Sequence, residues 1–185
     1  MPGTFIPLAA SRSVPLRPIS PGAEPVWQRI GAVAEHRGMD HAGAGAAASS
    51  GMPGRKTSPD EIRVLLVDDN LSILARVSLA LAPGCAIVGA MRDGPSALAA
   101  ARDLSPDVIV LDISMPGMNG FELAARLRQL GSTAALVFLT VHDEQEFVMA
   151  ARNVGALGYV RKPRLGSDLL HAVREARAGR SFFAA

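Results

Sequence analysis

From Ile62 onward, five short runs of aliphatic and branched residues recur, each leading into an amphipathic stretch, and no other feature limits the fold so narrowly. The runs are IRVLLV (62–67), AIVGA (86–90), DVIVL (107–111), ALVFL (135–139) and LGYV (157–160). They are apolar at successive rather than alternate positions, as strands covered on both faces are. The stretches Leu71 to Leu81, Pro95 to Leu104, Gly120 to Leu130, Glu144 to Asn153 and Ser167 to Ala178 repeat apolar residues at helical spacing. Pro95 suits a first turn, and Gly131 and Gly155 suit helix ends. Five strands alternating with five helices predict an α/β chain with three layers, a parallel doubly wound sheet between helices, joined by right-handed crossovers.

The region before this pattern differs in kind. Residues 1–60 hold 8 of the 13 prolines, are rich in Gly and Ala, and sustain no helical or strand period. Such a stretch buries too little apolar surface to offset its ordering entropy, so a disordered extension over 1–60 and one compact domain over 61–185 are expected. Met52 opens a short conventional lead-in to the first strand, which makes it a candidate translation start.

Charge and cysteine usage narrow the function. The chain carries a formal +2, but residues 61–185 hold 13 basic and 13 acidic side chains, so the surplus belongs to the extension and gives nucleic-acid binding no support. The one cysteine, Cys85, excludes a disulfide framework or a multi-thiolate site, reads as a small core residue, and fits a reducing cytoplasm. No apolar run approaches the roughly 20 residues of a membrane span, and the front end lacks the apolar core of a secretory signal.

In a doubly wound sheet, the loops at the carboxyl ends of the strands meet in one crevice. There the sequence puts Asp68 and Asp69 after the first strand, Asp112 after the third, Thr140 after the fourth and Lys162 after the fifth. Carboxylates about 4 Å apart repel by about 4 kcal/mol per pair at an effective dielectric near 20, so a cation must compensate. Oxygen ligands suit Mg²⁺, which shares its shell readily with a phosphate. Lys162 is a second positive point, and an aspartate can act as nucleophile to form an acyl phosphate.

The strings VLLVDDN, DVIVLDISMPGMNG, VFLTVHD and GYVRKP, in this order and at these strand ends, resemble the CheY-like receiver domain of two-component response regulators over nearly all of 61–183. The resemblance implies a flavodoxin-like sheet of strand order 2-1-3-4-5. It implies Asp112 as phosphoacceptor, Asp69 and Asp112 as direct Mg²⁺ ligands, Asp68 holding metal-bound water, and the Ser114 carbonyl as a further ligand. Lys162 then contacts the phosphoryl group, Thr140 donates its hydroxyl to it, and Tyr159 is the switch aromatic that turns inward when Thr140 moves. Ser114 and His142 occupy the positions that tune phosphoryl lifetime in the family, and Val141 stands where many members carry a smaller residue.

The implied partner is a sensor histidine kinase or a histidine phosphotransfer protein, with output to another protein or through a receiver homodimer on the face of the fourth helix, fifth strand and fifth helix. Neither direct nucleic-acid contact nor membrane contact is expected, and no enzyme activity beyond the domain's own phosphorylation and dephosphorylation. The stretch VHDEQEFVMAARNVGALGYVRK resembles receivers of LuxR/NarL-type regulators, so a transcriptional regulator without its DNA-binding domain is one alternative. A Mg²⁺-dependent phosphohydrolase with an aspartyl nucleophile is another, disfavoured because its nucleophile follows the first strand with a second Asp two residues on, where this chain has Ser114.

Each residue also has a plainer reading. Asp68 and Asp69 suit a helix start, Thr140 a strand end, Lys162 and Pro163 a turn, and Tyr159 a core position. His142 reads as a solvated loop residue, His171 as surface, Met115, Met118 and Met149 as packing, and the arginines 161, 164, 174, 177 and 180 as a solvated or partner-facing surface.

Overall fold

The structure, a computed structural model, describes residues 61–183. The expectations of a disordered extension and of a start at Met52 fall on residues outside these.

The five expected strands form as β1 (Ile62–Val67), β2 (Cys85–Met91), β3 (Val108–Leu111), β4 (Ala135–Thr140) and β5 (Gly158–Arg161). Between and after them run α1 (Leu71–Leu81), α2 (Gly94–Leu104), α3 (Gly120–Gln129), α4 (Gln145–Asn153) and α5 (Leu165–Arg177), with a 3₁₀ turn at Lys162–Arg164 leading into α5. All strand pairs are parallel, in the order β2-β1-β3-β4-β5 continued by a sixth strand, β6 (Phe182–Phe183), on the edge of β5. The apolar runs predict five strands; a two-residue strand has no period to read, and it exists only because the chain returns along β5 after α5. Thr140 closes β4 rather than following it, and α5 begins two residues earlier than the pattern indicated.

Alternation along each strand divides the core between two faces. Leu65, Val67, Ile109, Leu111, Phe138 and Tyr159 point to the side covered by α2, α3 and α4. Val64, Leu66, Val108, Val110, Val137, Leu139 and Val160 point to the side covered by α1 and α5. Burial on both faces explains the uninterrupted apolar runs. Cys85 belongs to the second layer, where burial pushes its thiol up to about 11, in keeping with an inert core residue.

Side-chain caps start three helices where the loops leave the sheet. Oδ1 of Asn70 accepts from the Ser72 and Ile73 amides, Asp93 accepts from the Ser96 amide, and Asn119 and Glu122 form a reciprocal capping box. Each cap follows the carboxyl end of a strand, so the caps anchor the loops that carry the polar residues described next. Among the described residues, no helix is long and apolar enough to cross a membrane.

Candidate functional site

The carboxyl edge of the sheet brings four of the predicted residues into contact. Asp68, Asp69 and Asp112 each present a carboxylate oxygen, and the three lie within 4.8 Å of one another. Lys162, at the head of the 3₁₀ turn after β5, places Nζ 2.8 Å from Oδ2 of both Asp68 and Asp112. The remaining oxygens are held by the backbone: Asp68 Oδ1 accepts from the Asn70 amide at 2.9 Å, and Asp112 Oδ1 from the Ile113 amide at 2.7 Å. Asp68 and Asp112 are each 4% exposed, whereas Asp69 is half-buried, so the cluster opens toward solvent on the Asp69 side.

Burial pushes the Asp112 carboxyl above its ordinary range, with the Lys162 ammonium pulling against it and Asp68 adding to the rise. For Lys162, burial pulls down, but Asp112 and Asp68 outweigh it and hold the ammonium above its usual value. One cation therefore faces three carboxylates. The surplus negative charge, an all-oxygen donor set and an opening to solvent together fit a hard divalent cation.

Thr140 is fully buried at the end of β4, and its Oγ1 accepts from the His142 amide at 3.3 Å. The Tyr159 hydroxyl donates to the His142 carbonyl at 3.0 Å, and the ring is 1% exposed. Tyr159 thus already points inward here, serving as a core side chain while tied to the loop that Thr140 begins.

Two plainer readings are corrected. His142 is no solvated residue: its ring stacks on Phe147 at 4.1 Å and Nε2 lies 2.9 Å from the Ser114 hydroxyl, joining the loops after β3 and β4. Met149 is half exposed, unlike Met115 and Met118, which are buried as expected. His171 is exposed, as expected, and meets Phe182 edge-on. Of the five arginines, Arg161, Arg164, Arg177 and Arg180 pair with Asp143, Asp168, Asp107 and Glu175.

Two further residues shape the site. Arg92, after β2, donates from Nε and Nη2 to the Asp69 carbonyl at 3.2 Å, holding the β1–α1 loop. Gly120 lies so close to the Asp112 carbonyl that a Cβ there would overlap it. The string GMNG after Asp112 was the available signal for Gly120; nothing local marks Arg92.

The family model described as "Response regulator receiver domain" matches residues 64–174. The Escherichia coli nitrate/nitrite response regulator protein NarL is 36% identical over 118 residues, covering 63% of this chain and 55% of that protein. A protein-glutamate methylesterase/protein-glutamine glutaminase of Myxococcus xanthus is 40% identical over 131 residues, covering 62% of this chain and 36% of that protein. In structure, the signal receiver domain of the putative response regulator NarL from Mycobacterium tuberculosis matches with a TM-score of 0.63 at 32% identity, covering 66% of this chain and all of that one. The chain spans about half the length of the curated relatives it matches.

Proposed function

This chain belongs to the response-regulator receiver domain family, and from that premise we propose that it takes a phosphoryl group from a histidine kinase or histidine phosphotransfer protein onto Asp112. Receiver domains of response regulators interact with such donors; which donor serves this chain is a matter of the surface around the site. The observation that carries the reading is Lys162 Nζ, 2.8 Å from both Asp68 and Asp112.

An Asp112 oxygen forms the bond to phosphorus while the donor's bond to phosphorus breaks, its electron pair leaving with the donor nitrogen. The Lys162 ammonium, now holding the Asp112 carboxylate, moves to a phosphoryl oxygen and offsets its charge. Asp69 and Asp112 would hold Mg²⁺ directly, with the Ser114 carbonyl as a further ligand and Asp68 acting through bound water. When bound, the ion supplies charge neutralisation for the phosphoryl oxygens. Thr140 donates its hydroxyl to the phosphoryl group, and Tyr159 follows through the His142 backbone. The surface of α4, β5 and α5 then changes its preference for a partner or a second receiver, a population shift between two arrangements. The site serves the chain's own phosphorylation and loss of phosphate rather than turnover of a free substrate, and a cytoplasmic location fits its donors.

Incubation with Mg²⁺ and acetyl phosphate, followed by intact-mass measurement, tests this: the wild type gains one phosphoryl group and Asp112→Asn gains none. Equal masses before and after in the wild type would overturn it.

The length of the relatives favours a second reading of the output, namely that this receiver serves a NarL-type transcriptional regulator whose DNA-binding region lies outside this sequence. Genomic sequence downstream decides between that and an output made entirely through protein contacts.

A further inference from the structure

We propose that the segment after α5, ending in β6, docks on the sheet edge only while Tyr159 points inward, so that phosphorylation of Asp112 controls this segment; the inference rests on the receiver reading above.

Phe183 and Tyr159 are register partners in adjacent parallel strands, so their side chains leave the sheet on the same face. Their rings lie nearly parallel, at 10° and 6.4 Å between centroids, with Tyr159 inside and Phe183 outside. The Arg152 guanidinium of α4 closes over the outer ring, 3.8 Å from its centroid. Phe182 is held separately, edge-on to His171 of α5 at 5.1 Å, and its amide donates to the Leu157 carbonyl at 2.8 Å. β6 therefore spans the gap between α4 and α5 along the free edge of β5.

A rotation of Tyr159 away from the core would carry its ring toward the place Phe183 occupies. The two arrangements exclude each other. The inward rotamer is held by one polar contact, from the Tyr159 hydroxyl to the His142 carbonyl, and the His142 amide in turn rests on Thr140 Oγ1. Any event at Asp112 that recruits the Thr140 hydroxyl reaches Phe183 through this chain of contacts. A strand of two residues has little ladder of its own, so these ring contacts decide whether it stays docked.

Hydrogen exchange at the Phe182 amide, read on the full chain alongside intact mass in the same sample, tests the coupling. With Mg²⁺ and acetyl phosphate, protection at Phe182 rises about fivefold in the phosphorylated fraction, the scale of one aromatic contact. Tyr159→Phe, which keeps the ring and removes the hydroxyl, gains phosphoryl mass with no such rise. Phe183→Ala gains mass and loses protection at Phe182 in both states. A wild type that gains mass while Phe182 protection stays constant overturns the coupling and leaves the receiver reading standing, as does an equal rise in Tyr159→Phe. Absence of any mass gain overturns the receiver reading and this inference with it.

Discussion

Asp112 carries two conflicting demands: it must be buried enough to be held in one geometry and charged enough to attack phosphorus. Burial raises its carboxyl above the ordinary range even beside Lys162, so at neutral pH the ionised form costs the fold stability. Asp112→Asn removes that cost and is expected to stabilise the protein in Mg²⁺-free buffer. The sign follows from linkage: a carboxyl raised on folding favours the folded state when protonated, and this advantage disappears as pH rises through its folded value. The gap between the two proteins should therefore close as pH falls through the carboxylate range. Urea denaturation near pH 7 and near pH 4 checks this; a gap that widens in acid contradicts it. Lys162 obeys the same rule in a higher window: its raised value keeps its contribution intact at neutral pH, and the contribution is lost as pH rises into strong alkali.

The loop from Ile113 to Asn119 is tied to the start of α3 at both of its ends. The capping box of Asn119 and Glu122 fixes the helix start, and the Gly120 amide donates to the Ile113 carbonyl at 2.9 Å. A methyl group at Gly120 would meet the Asp112 carbonyl itself, so Gly120→Ala must displace either α3 or the end of β3. A loss of about 1–3 kcal/mol is expected from such overpacking, with phosphoryl uptake falling further than stability does. Asn119→Ala removes only the cap and should cost about 1 kcal/mol while leaving uptake nearly unchanged. Parallel thermal melts and intact-mass time courses separate the two; equal loss of uptake in both would show that the helix start, rather than contact with Asp112, governs the site.

Across the whole domain, the proposed binding of Mg²⁺ at the acidic cluster would be coupled to folding, because Asp68, Asp69 and Asp112 come from two strand ends and meet in the native sheet. A ligand that binds only the folded state stabilises it by about 2.7 kcal/mol at a hundredfold excess over its dissociation constant. Mg²⁺ should accordingly raise the melting temperature reversibly, EDTA should abolish the rise, and Asp69→Asn should weaken it. A melting temperature indifferent to Mg²⁺ in the wild type would contradict the metal assignment. The helices α4 and α5 and the edge of β5 are bridged by β6, so the surface proposed to change on phosphorylation includes a segment that follows α5.

Strand and helix positions, the parallel doubly wound order and the placing of Asp68, Asp69, Asp112, Thr140 and Lys162 at strand ends were legible in the sequence. Burial on two faces and helical spacing imprint themselves on neighbouring residues, and the receiver motifs lie at those same strand ends. Tertiary structure alone decided what depends on segments far apart meeting. Lys162 and Asp112 were expected in one crevice, but the ammonium's simultaneous contact with Asp68 and Asp112 was not, and the Ser114 hydroxyl meets His142 across 28 residues. The inward Tyr159, the Arg92 contact and β6 belong to the same class. Each exists because folding places surfaces side by side that no local pattern encodes, whereas the pattern that builds the sheet is repeated within every strand of it.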